Sequence, residues 1–345
     1  MRTPSIGPGL LLFLLVSLPA EAQEERVGLE WIFSDEGRTA MALPRRTWIG
    51  DDLVALYDTR LPKNERTIES FDTGRERRRS LVDAGKIIAG MTDILEPEEP
   101  IEEPGWPNAF GPNGRWAVYE KSDNILLVDL RNSDVIAVAA SDAEETSPRF
   151  SPDGQWLAFV RDNDIFAWHI ESQEEKRLTT DGSDSILNGT VSWVYWEELL
   201  NRSDRGFVWS PDSSSIAFLQ TDESGVGEMH YVHFEPNLPR LIKQRHAKPG
   251  EANPRVRAGV VNVEDASTTW IDLGSYLFEY LPRIQWLPDS QRVAVQTMNR
   301  PQTILDIFIT NVADGETSHL LRETDEGWVN VHDDLHFLAD GEHFI

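Results

Sequence analysis

Cysteine is absent from the 345 residues of this sequence. Its absence excludes disulfide bonds, so the fold must be held together by its buried core alone. It also excludes a lipid-modified cysteine, so we expect no lipoprotein anchor. A chain of this length has enough residues for a large core, arranged as one large domain or two.

Long apolar runs are missing beyond the N-terminus, so we expect no transmembrane helix. The N-terminus itself is typical of a secretory signal peptide over residues 1–22. Arg2 supplies a positive charge, residues 10–18 form an apolar run too short to span a bilayer, and residues 20–22 have the Ala-x-Ala pattern of a cleavage site. The mature chain is expected to begin near Gln23 and to be exported to a periplasm or to the exterior. An ordinary buried helix is the alternative interpretation.

Basic residues are scarce, with 32 Lys and Arg against 59 Asp and Glu and a formal net charge of −27. Binding to nucleic acid or to an anionic membrane surface requires a basic face, and this composition offers none. Glycine-rich phosphate-binding motifs are also missing. We therefore expect no nucleic-acid partner and no cofactor. The apolar content of 40% and the charged content of 26% are those of a globular protein.

The motifs of serine and metal catalysis are missing as well. The sequence contains no Gly-x-Ser-x-Gly turn to display a serine nucleophile, and no following α/β pattern to carry one. It contains no His-Glu-x-x-His. Residues 332–336, His-Asp-Asp-Leu-His, are the densest cluster of metal-ligand types, but a polar strand edge is the simpler interpretation. We expect no catalytic residue and no metal site in this chain.

Short strands dominate what is present. Segments of four or five residues rich in β-branched and aromatic side chains recur throughout the chain. They lie at residues 53–57, 67–71, 116–119, 125–128, 156–160, 165–168 and 216–219. No long run has the 3.6-residue periodicity of a helix, and the exception is a short helix predicted around residues 196–201.

The strands are marked by an internal repeat of an aromatic residue, a Pro-Asp/Asn-Gly/Ser turn and a new strand, with Ala339 in place of the proline in the last copy. Proline presets the backbone for such a turn, and Asp or Asn followed by Gly or Ser closes it. The turn residues at positions 113, 153, 212, 289 and 340 are 40, 59, 77 and 51 residues apart. Since a four-stranded blade takes about 40–50 residues, the repeat predicts an all-β fold, a β-propeller of four-stranded blades, with insertions at residues 182–206 and 235–257.

Two charged segments have simple interpretations. Residues 95–104 are acidic and rich in proline, and they are expected to form a solvated link between the first two blades. Residues 75–79, Arg-Glu-Arg-Arg-Arg, follow a Thr-Gly turn and are expected to form a solvated hairpin.

Glu197 and Glu198 are the candidate binding residues. They are adjacent carboxylates among the aromatic residues Trp193, Tyr195 and Trp196. Aromatic side chains exclude water, and a carboxylate pair in a dry place is costly unless a cation neutralises it. The pattern therefore favours a site for a metal ion or an amine. An incidental acidic pair is the alternative, because the chain is acidic throughout.

The same residues carry a family resemblance. Residues 191–199, Val-Ser-Trp-Val-Tyr-Trp-Glu-Glu-Leu, resemble the Asp-Trp-Val-Tyr-x-Glu-Glu-Leu segment of the dipeptidyl peptidase IV family, in the prolyl oligopeptidase clan of serine peptidases. Residues 248–256, Lys-Pro-Gly-Glu-Ala-Asn-Pro-Arg-Val, are similar to a second segment of that family. One departure is Ser192, where the family usually has Asp.

The resemblance implies the N-terminal propeller of such a peptidase, which is eight-bladed in the family. Residues 23–345 have room for about five blades and part of a sixth, and the catalytic α/β-hydrolase domain is expected outside this chain, which should be inactive alone. In the family the Glu pair holds the free α-amine of a peptide substrate, a role carried here onto Glu197 and Glu198. A propeller arginine that contacts substrate is also implied, but no residue is assigned to it, and full-length members often form homodimers.

The function implied is that of a secreted serine exopeptidase that releases N-terminal Xaa-Pro or Xaa-Ala dipeptides, with this propeller gating the substrate. Two alternatives stay open at this point. One is a non-catalytic exported propeller that acts as a binding or assembly module. The other is a tripeptidyl peptidase of the same family.

Overall fold

A computed structural model of the chain describes residues 28–138, 141, 143–200, 202, 206–234, 238–274, 276, 278–331 and 333–345. The expected signal peptide, residues 1–22, and the expected start of the propeller at residue 23 lie outside the described residues. The chain divides into two compact units, Met1–Leu43 and Pro44–Ile345. In the first unit, α1 (Leu29–Ile32) precedes α2 (Asp35–Met41), whose N-cap Ser34 accepts a hydrogen bond from the amide of Gly37.

The second unit is built from antiparallel sheets whose strands mostly follow one another in chain order. The first sheet contains β1 (Arg45–Gly50), β2 (Leu53–Tyr57), β3 (Glu69–Asp72) and β4 (Arg77–Ser80). The second contains β5 (Ala109–Phe110), β6 (Trp116–Lys121), β7 (Asn124–Asp129) and β8 (Val135–Ala137). The third contains β9 (Glu145–Phe150), β10 (Trp156–Arg161), β11 (Asp164–His169) and β12 (Glu175–Arg177).

The fourth sheet has five strands, because two short strands share one edge. In it β13 (Ile186–Asn188) and β14 (Phe207–Trp209) both pair with β15 (Ser215–Asp222), which pairs with β18 (Arg255–Asn262) and through it with β19 (Thr268–Trp270). A separate hairpin contains β16 (Glu228–His233) and β17 (Arg240–Arg245). The fifth sheet contains β20 (Tyr280–Trp286), β21 (Arg292–Met298), β22 (Ile304–Asn311) and β23 (Thr317–Thr324).

Neighbouring sheets bury their apolar faces against each other. The inner strands β7, β11, β15 and β21 are buried at consecutive positions, so both faces of each strand are covered. Separate apolar clusters lie between the first and second, second and third, third and fourth, and fourth and fifth sheets. The predicted all-β architecture of four-stranded antiparallel sheets is therefore confirmed.

The repeated turn predicted from the sequence is confirmed at all five positions. Its closing residue has a left-handed backbone in every copy, with φ of 65° at Gly114, 70° at Gly154, 65° at Ser213, 57° at Ser290 and 68° at Gly341. A glycine tolerates this region, and the serines use their side chains to connect sheets. The Ser213 hydroxyl accepts from the Asp153 amide at 3.0 Å, and the Ser290 hydroxyl accepts from the Asp212 amide at 3.0 Å.

Helices α1, α2 and α3 (Ala84–Leu95) were not predicted from the sequence, and α3 is the longest of them. Helix α3 follows the first sheet and begins at Asp83, whose carboxylate accepts from the amide of Lys86. Its inward residues Ile87, Met91 and Leu95 recur every four residues and pack in the cluster between the first and second sheets, so the sequence contains helical spacing that the strand-rich interpretation overlooked. It contains Gly90, where a β-carbon would lie 2.8 Å from Val135, so the glycine permits close packing at the expense of helix propensity.

Of the two charged segments predicted to be solvated, one is exposed as expected and the other is partly held by the first sheet. Residues 95–104 connect the first and second sheets as predicted, but the segment is not wholly solvated. Glu103 accepts from the Tyr57 hydroxyl at 2.6 Å and from Arg66 at 2.8 Å, because its carboxylate reaches back to the first sheet. The predicted hairpin at residues 75–79 is confirmed, and its strand β4 is exposed throughout.

The insertions also differ in outcome. The first predicted insertion, residues 182–206, follows the third sheet, and its described part contains β13, which joins the fourth sheet, and a helical turn. The predicted bounds of the second, 235–257, were wrong, because the inserted segment runs between β15 and β18 and contains the whole β16–β17 hairpin. After β23, the described residues form a single isolated bridge between Phe337 and Phe344. No helix in the described ranges is long and apolar enough to cross a membrane.

Candidate functional site

The Glu pair lies on a helical turn in the insertion between the third and fourth sheets. The turn is an α-helical start at residues 193–194 that continues as a π-helix, Tyr195–Leu199, closed by a bond from the Leu200 amide to the Tyr195 carbonyl at 2.8 Å. The short helix predicted at residues 196–201 is thus confirmed in place but begins earlier. A π-turn inserts one residue into the helical repeat and often marks a functional position.

Ser192 begins this turn and explains the departure from the family pattern. Its hydroxyl accepts from the amide of Tyr195 at 3.4 Å, three residues along, and the side chain is buried. An Asp at this position has an acceptor for the same amide, since both residue types are favoured N-caps. The serine therefore keeps the capping function without placing a buried charge there.

Tyr195 fixes the helical turn to the fifth sheet. Its ring is fully buried in the cluster between the fourth and fifth sheets, and its hydroxyl accepts from the backbone amide of Leu281 at 2.9 Å. Burial raises the pKa of this phenol far above its usual value, so it stays protonated. At the other end of the turn, the Leu199 carbonyl accepts from Arg283 at 2.8 Å. The turn is therefore held at both ends by the same strand, β20.

A buried polar network holds the chain leading into the turn. Asp164 accepts from the Thr179 hydroxyl at 2.6 Å and from the Asn188 amide group at 3.0 Å. Asn188 also donates to Asp181 at 2.9 Å and accepts from Gln220 at 2.7 Å. Asp164 and Asn188 are completely buried, so each hydrogen bond is costly to lose. These residues were missed by sequence reasoning, because no local pattern connects polar side chains so far apart in the chain.

Glu197 is already paired with a cation from the chain itself. Its two carboxylate oxygens accept from Arg202, Nε to Oε2 at 3.0 Å and Nη2 to Oε1 at 2.7 Å. The Arg202 guanidinium lowers the pKa of the Glu197 carboxyl below its usual value. The Glu197 side chain is 25% exposed and that of Arg202 is 68% exposed. Arg202 also lies 5.8 Å from the centre of the Trp196 ring.

Glu198 is the open member of the pair. It is exposed, and no hydrogen bond or ion pair links its carboxylate to any other described residue. The predicted dry aromatic setting is therefore wrong, because Tyr195 points into the core while Trp193 and Trp196 are only half-buried. Two adjacent carboxylates at a surface, one neutralised by Arg202 and one free, can accept the N–H donors of an incoming cation.

The residue that directly follows the β16–β17 hairpin contacts the same turn. The rings of Trp193 and His246 meet edge to face, with their centres 4.7 Å apart and an interplanar angle of 75°. The segment after His246 matches the second region of family resemblance, and its Asn253 donates to Glu279 at 2.8 Å and to the Tyr280 hydroxyl at 3.1 Å. Both resembling segments thus converge on the start of the fifth sheet.

The candidate metal cluster is only partly visible. His332 lies outside the described residues, so the predicted strand face of residues 332–336 is not described as a whole. Among the residues that are described, no group of three or more His, Cys, Asp or Glu side chains could hold a metal ion.

The stacked four-stranded sheets define a propeller-type β-sheet protein, and comparison with known proteins gives the family. The family model described as the dipeptidyl peptidase IV N-terminal region matches residues 115–345. The chain belongs to the dipeptidyl peptidase IV family and represents its N-terminal portion.

Individual relatives agree with this assignment. The chain is 26% identical over 266 residues to a protein named probable dipeptidyl peptidase 4 of Aspergillus clavatus, covering 71% of this chain and 34% of that protein. It is 24% identical over 336 residues to probable dipeptidyl-aminopeptidase B of Chaetomium globosum, covering 90% of this chain and 36% of that protein. The chain therefore spans about a third of the length of these curated relatives.

A solved structure shows the same fold. The crystal structure of Porphyromonas gingivalis dipeptidyl peptidase 4 superposes with a TM-score of 0.70 at 23% sequence identity, covering 84% of this chain and 40% of that one. At this identity the similarity establishes the fold alone.

We predict that Tyr195→Phe lowers the free energy of unfolding by about 1–3 kcal/mol, because the buried amide of Leu281 loses its only acceptor among the described residues. Urea denaturation monitored by tryptophan fluorescence measures the change. Tyr119→Phe is the matched control, since Tyr119 is also buried but its hydroxyl makes only a 3.4 Å bond to the Gly105 carbonyl. Equal losses in the two variants would contradict the anchoring role of Tyr195.

Proposed function

We propose that this chain is the substrate-binding propeller of a secreted serine exopeptidase, and that Glu197 and Glu198 bind the free α-ammonium group of a peptide. The observation that carries the proposal is the exposed Glu198 carboxylate beside Glu197, on a helical turn fixed by the Tyr195–Leu281 and Leu199–Arg283 bonds. The family membership and the names of the relatives support the peptidase class.

The chemistry follows from charge and from hydrogen-bond count. A peptide ammonium carries three N–H donors and one positive charge, and two carboxylates supply acceptors and negative charge in return. An N-acetylated peptide has neither the charge nor the three donors. The site therefore selects free N-termini, which is the requirement for an exopeptidase.

Fixing the amine also fixes where cleavage takes place. If the amine is held at the Glu pair, only the bond at a set distance along the extended peptide reaches the nucleophile. In this proposal the nucleophile belongs to an α/β-hydrolase domain outside this chain. The propeller then gates the substrate and measures two residues, releasing Xaa-Pro or Xaa-Ala dipeptides.

For the full-length protein, we predict that Glu197→Gln and Glu198→Gln each reduce kcat/KM for a Gly-Pro or Ala-Pro chromogenic conjugate by about tenfold or more, at the lower end of the range for a charged hydrogen bond because the site is exposed. The wild-type protein should cleave the free-amine conjugate and not its N-acetylated form. Glu98→Gln and Glu99→Gln, an exposed acidic pair elsewhere in the chain, are the matched controls and should leave the rate unchanged.

The alternatives give different results in the same assay. Release of tripeptides, identified by mass spectrometry, would indicate a tripeptidyl peptidase. Binding of free-amine peptide without any cleavage would indicate a non-catalytic binding module. Equal cleavage of free and N-acetylated conjugates would contradict the proposed role of the Glu pair.

We also propose that the full-length protein forms a homodimer through the β16–β17 hairpin. Among the described residues, each strand of this hairpin pairs only with the other, and the hairpin exposes apolar side chains on both faces. They are Tyr231, Val232, Phe234, Leu238, Leu241 and Ile242. An exposed apolar set of this kind is typical of a protein–protein interface, and a second copy of the same hairpin provides a complementary surface.

Leu241→Asp is expected to shift the full-length protein from dimer to monomer, because it places a charge at the centre of this interface. Sedimentation velocity measures the change. Ile94→Asp, on the exposed side of helix α3, is the control and should leave the dimer intact. A wild-type monomer at micromolar concentration would exclude this interface.

Export is proposed from the N-terminal pattern of residues 1–22. The secreted protein should begin near Gln23, which N-terminal sequencing of the mature protein determines. A mature protein that retains Met1 inside the cell would rule out the proposed location.

A further inference from the structure

Among the described residues, Arg202 is the one basic side chain that forms an ion pair with either member of the Glu pair. Its backbone is left-handed, with φ of 59°, and its amide donates to the Trp196 carbonyl at 2.7 Å. The bond to the Trp196 carbonyl holds Arg202 against the helical turn that carries the two carboxylates. The guanidinium then meets Glu197 with two parallel hydrogen bonds, the fork geometry in which arginine binds carboxylates most specifically.

The charges around the site follow from these contacts. Glu197 and Glu198 together carry two negative charges, and Arg202 reduces the local total to one. Both oxygens of Glu197 already accept hydrogen bonds from Arg202, so an incoming ammonium meets one free carboxylate and one partly neutralised carboxylate. A single ammonium brings this group of three side chains to electrical neutrality.

We propose that Arg202 is a specificity-determining residue that limits the affinity of the Glu pair for the peptide ammonium. This inference rests on the proposed function of Glu197 and Glu198. Arg202 occupies the position that a substrate amine competes for, and its charge repels the amine at short range. The amine site is therefore tuned to release the dipeptide product, which keeps its free amine after cleavage, as readily as it binds substrate.

The aromatic neighbour supports a defined position for the guanidinium. Arg202 lies over Trp196, 5.8 Å from the ring centre, which restricts a side chain that is otherwise largely exposed. Most exposed ion pairs contribute little to stability, so we expect the effect of Arg202 to be seen in ligand affinity and not in folding.

The test uses Arg202→Gln in the full-length protein, with the dipeptide Gly-Pro and its N-acetylated form as probes in titration calorimetry. Removing the charge should tighten Gly-Pro binding about three- to tenfold, the range for one unit charge at short distance in a highly solvated site. Binding of N-acetyl-Gly-Pro should not change. In kinetic assays KM for a free-amine conjugate should fall by the same factor while kcat is constant or lower.

Two further variants separate charge from structure. Arg202→Lys keeps the positive charge but cannot make the two-bond fork, so its affinity for Gly-Pro should lie between those of the wild type and Arg202→Gln. Arg131→Gln is the matched control, because Arg131 makes the same two-bond fork with Asp129 and is 63% exposed, yet belongs to the second sheet. It should leave Gly-Pro binding unchanged. Carbon-detected NMR should also show that the pKa of the Glu197 carboxyl rises in Arg202→Gln, toward its ordinary value.

The outcomes distinguish the two levels of the proposal. If the wild-type protein binds Gly-Pro and N-acetyl-Gly-Pro equally, the proposed function of the Glu pair fails. If it discriminates between them but Arg202→Gln binds Gly-Pro with equal or lower affinity, the proposal for Arg202 is overturned and the residue only positions Glu197. A gain in affinity that is the same for both probes would also overturn it.

Discussion

The fold depends on one constraint, that a sheet with apolar side chains on both faces must be covered on both faces. The inner strands β7, β11, β15 and β21 are buried at consecutive positions, so none of these sheets is stable alone. Polar groups fix the resulting stack. The indole N–H of Trp209 donates to the Arg149 carbonyl, and that of Trp286 donates to the Val208 carbonyl, each at 3.1 Å. A buried indole needs an acceptor, and the neighbouring sheet supplies it.

This packing positions the candidate site. The fourth and fifth sheets meet in a cluster that includes Tyr195, Leu199 and Leu200, so the helical turn is part of the core and not an added loop. Its inward residues are fixed by burial, which leaves Glu197 and Glu198 at the surface with little freedom in their backbone. A binding site on a fixed element loses less entropy when a ligand binds, so an exposed carboxylate pair gains specificity from the core beneath it.

The sequence predicted the parts of this structure that local chemistry determines. The turn at Asp153-Gly154 requires a residue with a left-handed backbone, and its short sequence motif was recognised directly. The strands that follow such turns were located to within a few residues. Helix α3 was missed although Ile87, Met91 and Leu95 have the spacing of a helix, because the segment is short and contains Gly90, which lowers helix propensity. The hairpin between β15 and β18 was misplaced because it interrupts a sheet from within. The dry setting expected for the Glu pair was wrong, because Tyr195 points into the core, where it bonds an amide 86 residues away, while Trp193 and Trp196 are only half-buried.

The amine-binding role of Glu197 and Glu198 is tested most directly by a crystal structure of the full-length protein with a bound, uncleaved peptide that has a free N-terminus. We predict that the peptide nitrogen lies within about 3 Å of carboxylate oxygens of both Glu197 and Glu198, the distance of a charge-assisted hydrogen bond. A peptide bound in the opposite direction, or with its nitrogen hydrogen-bonded elsewhere while Glu198 stays solvated, would contradict the amine-binding role of the Glu pair.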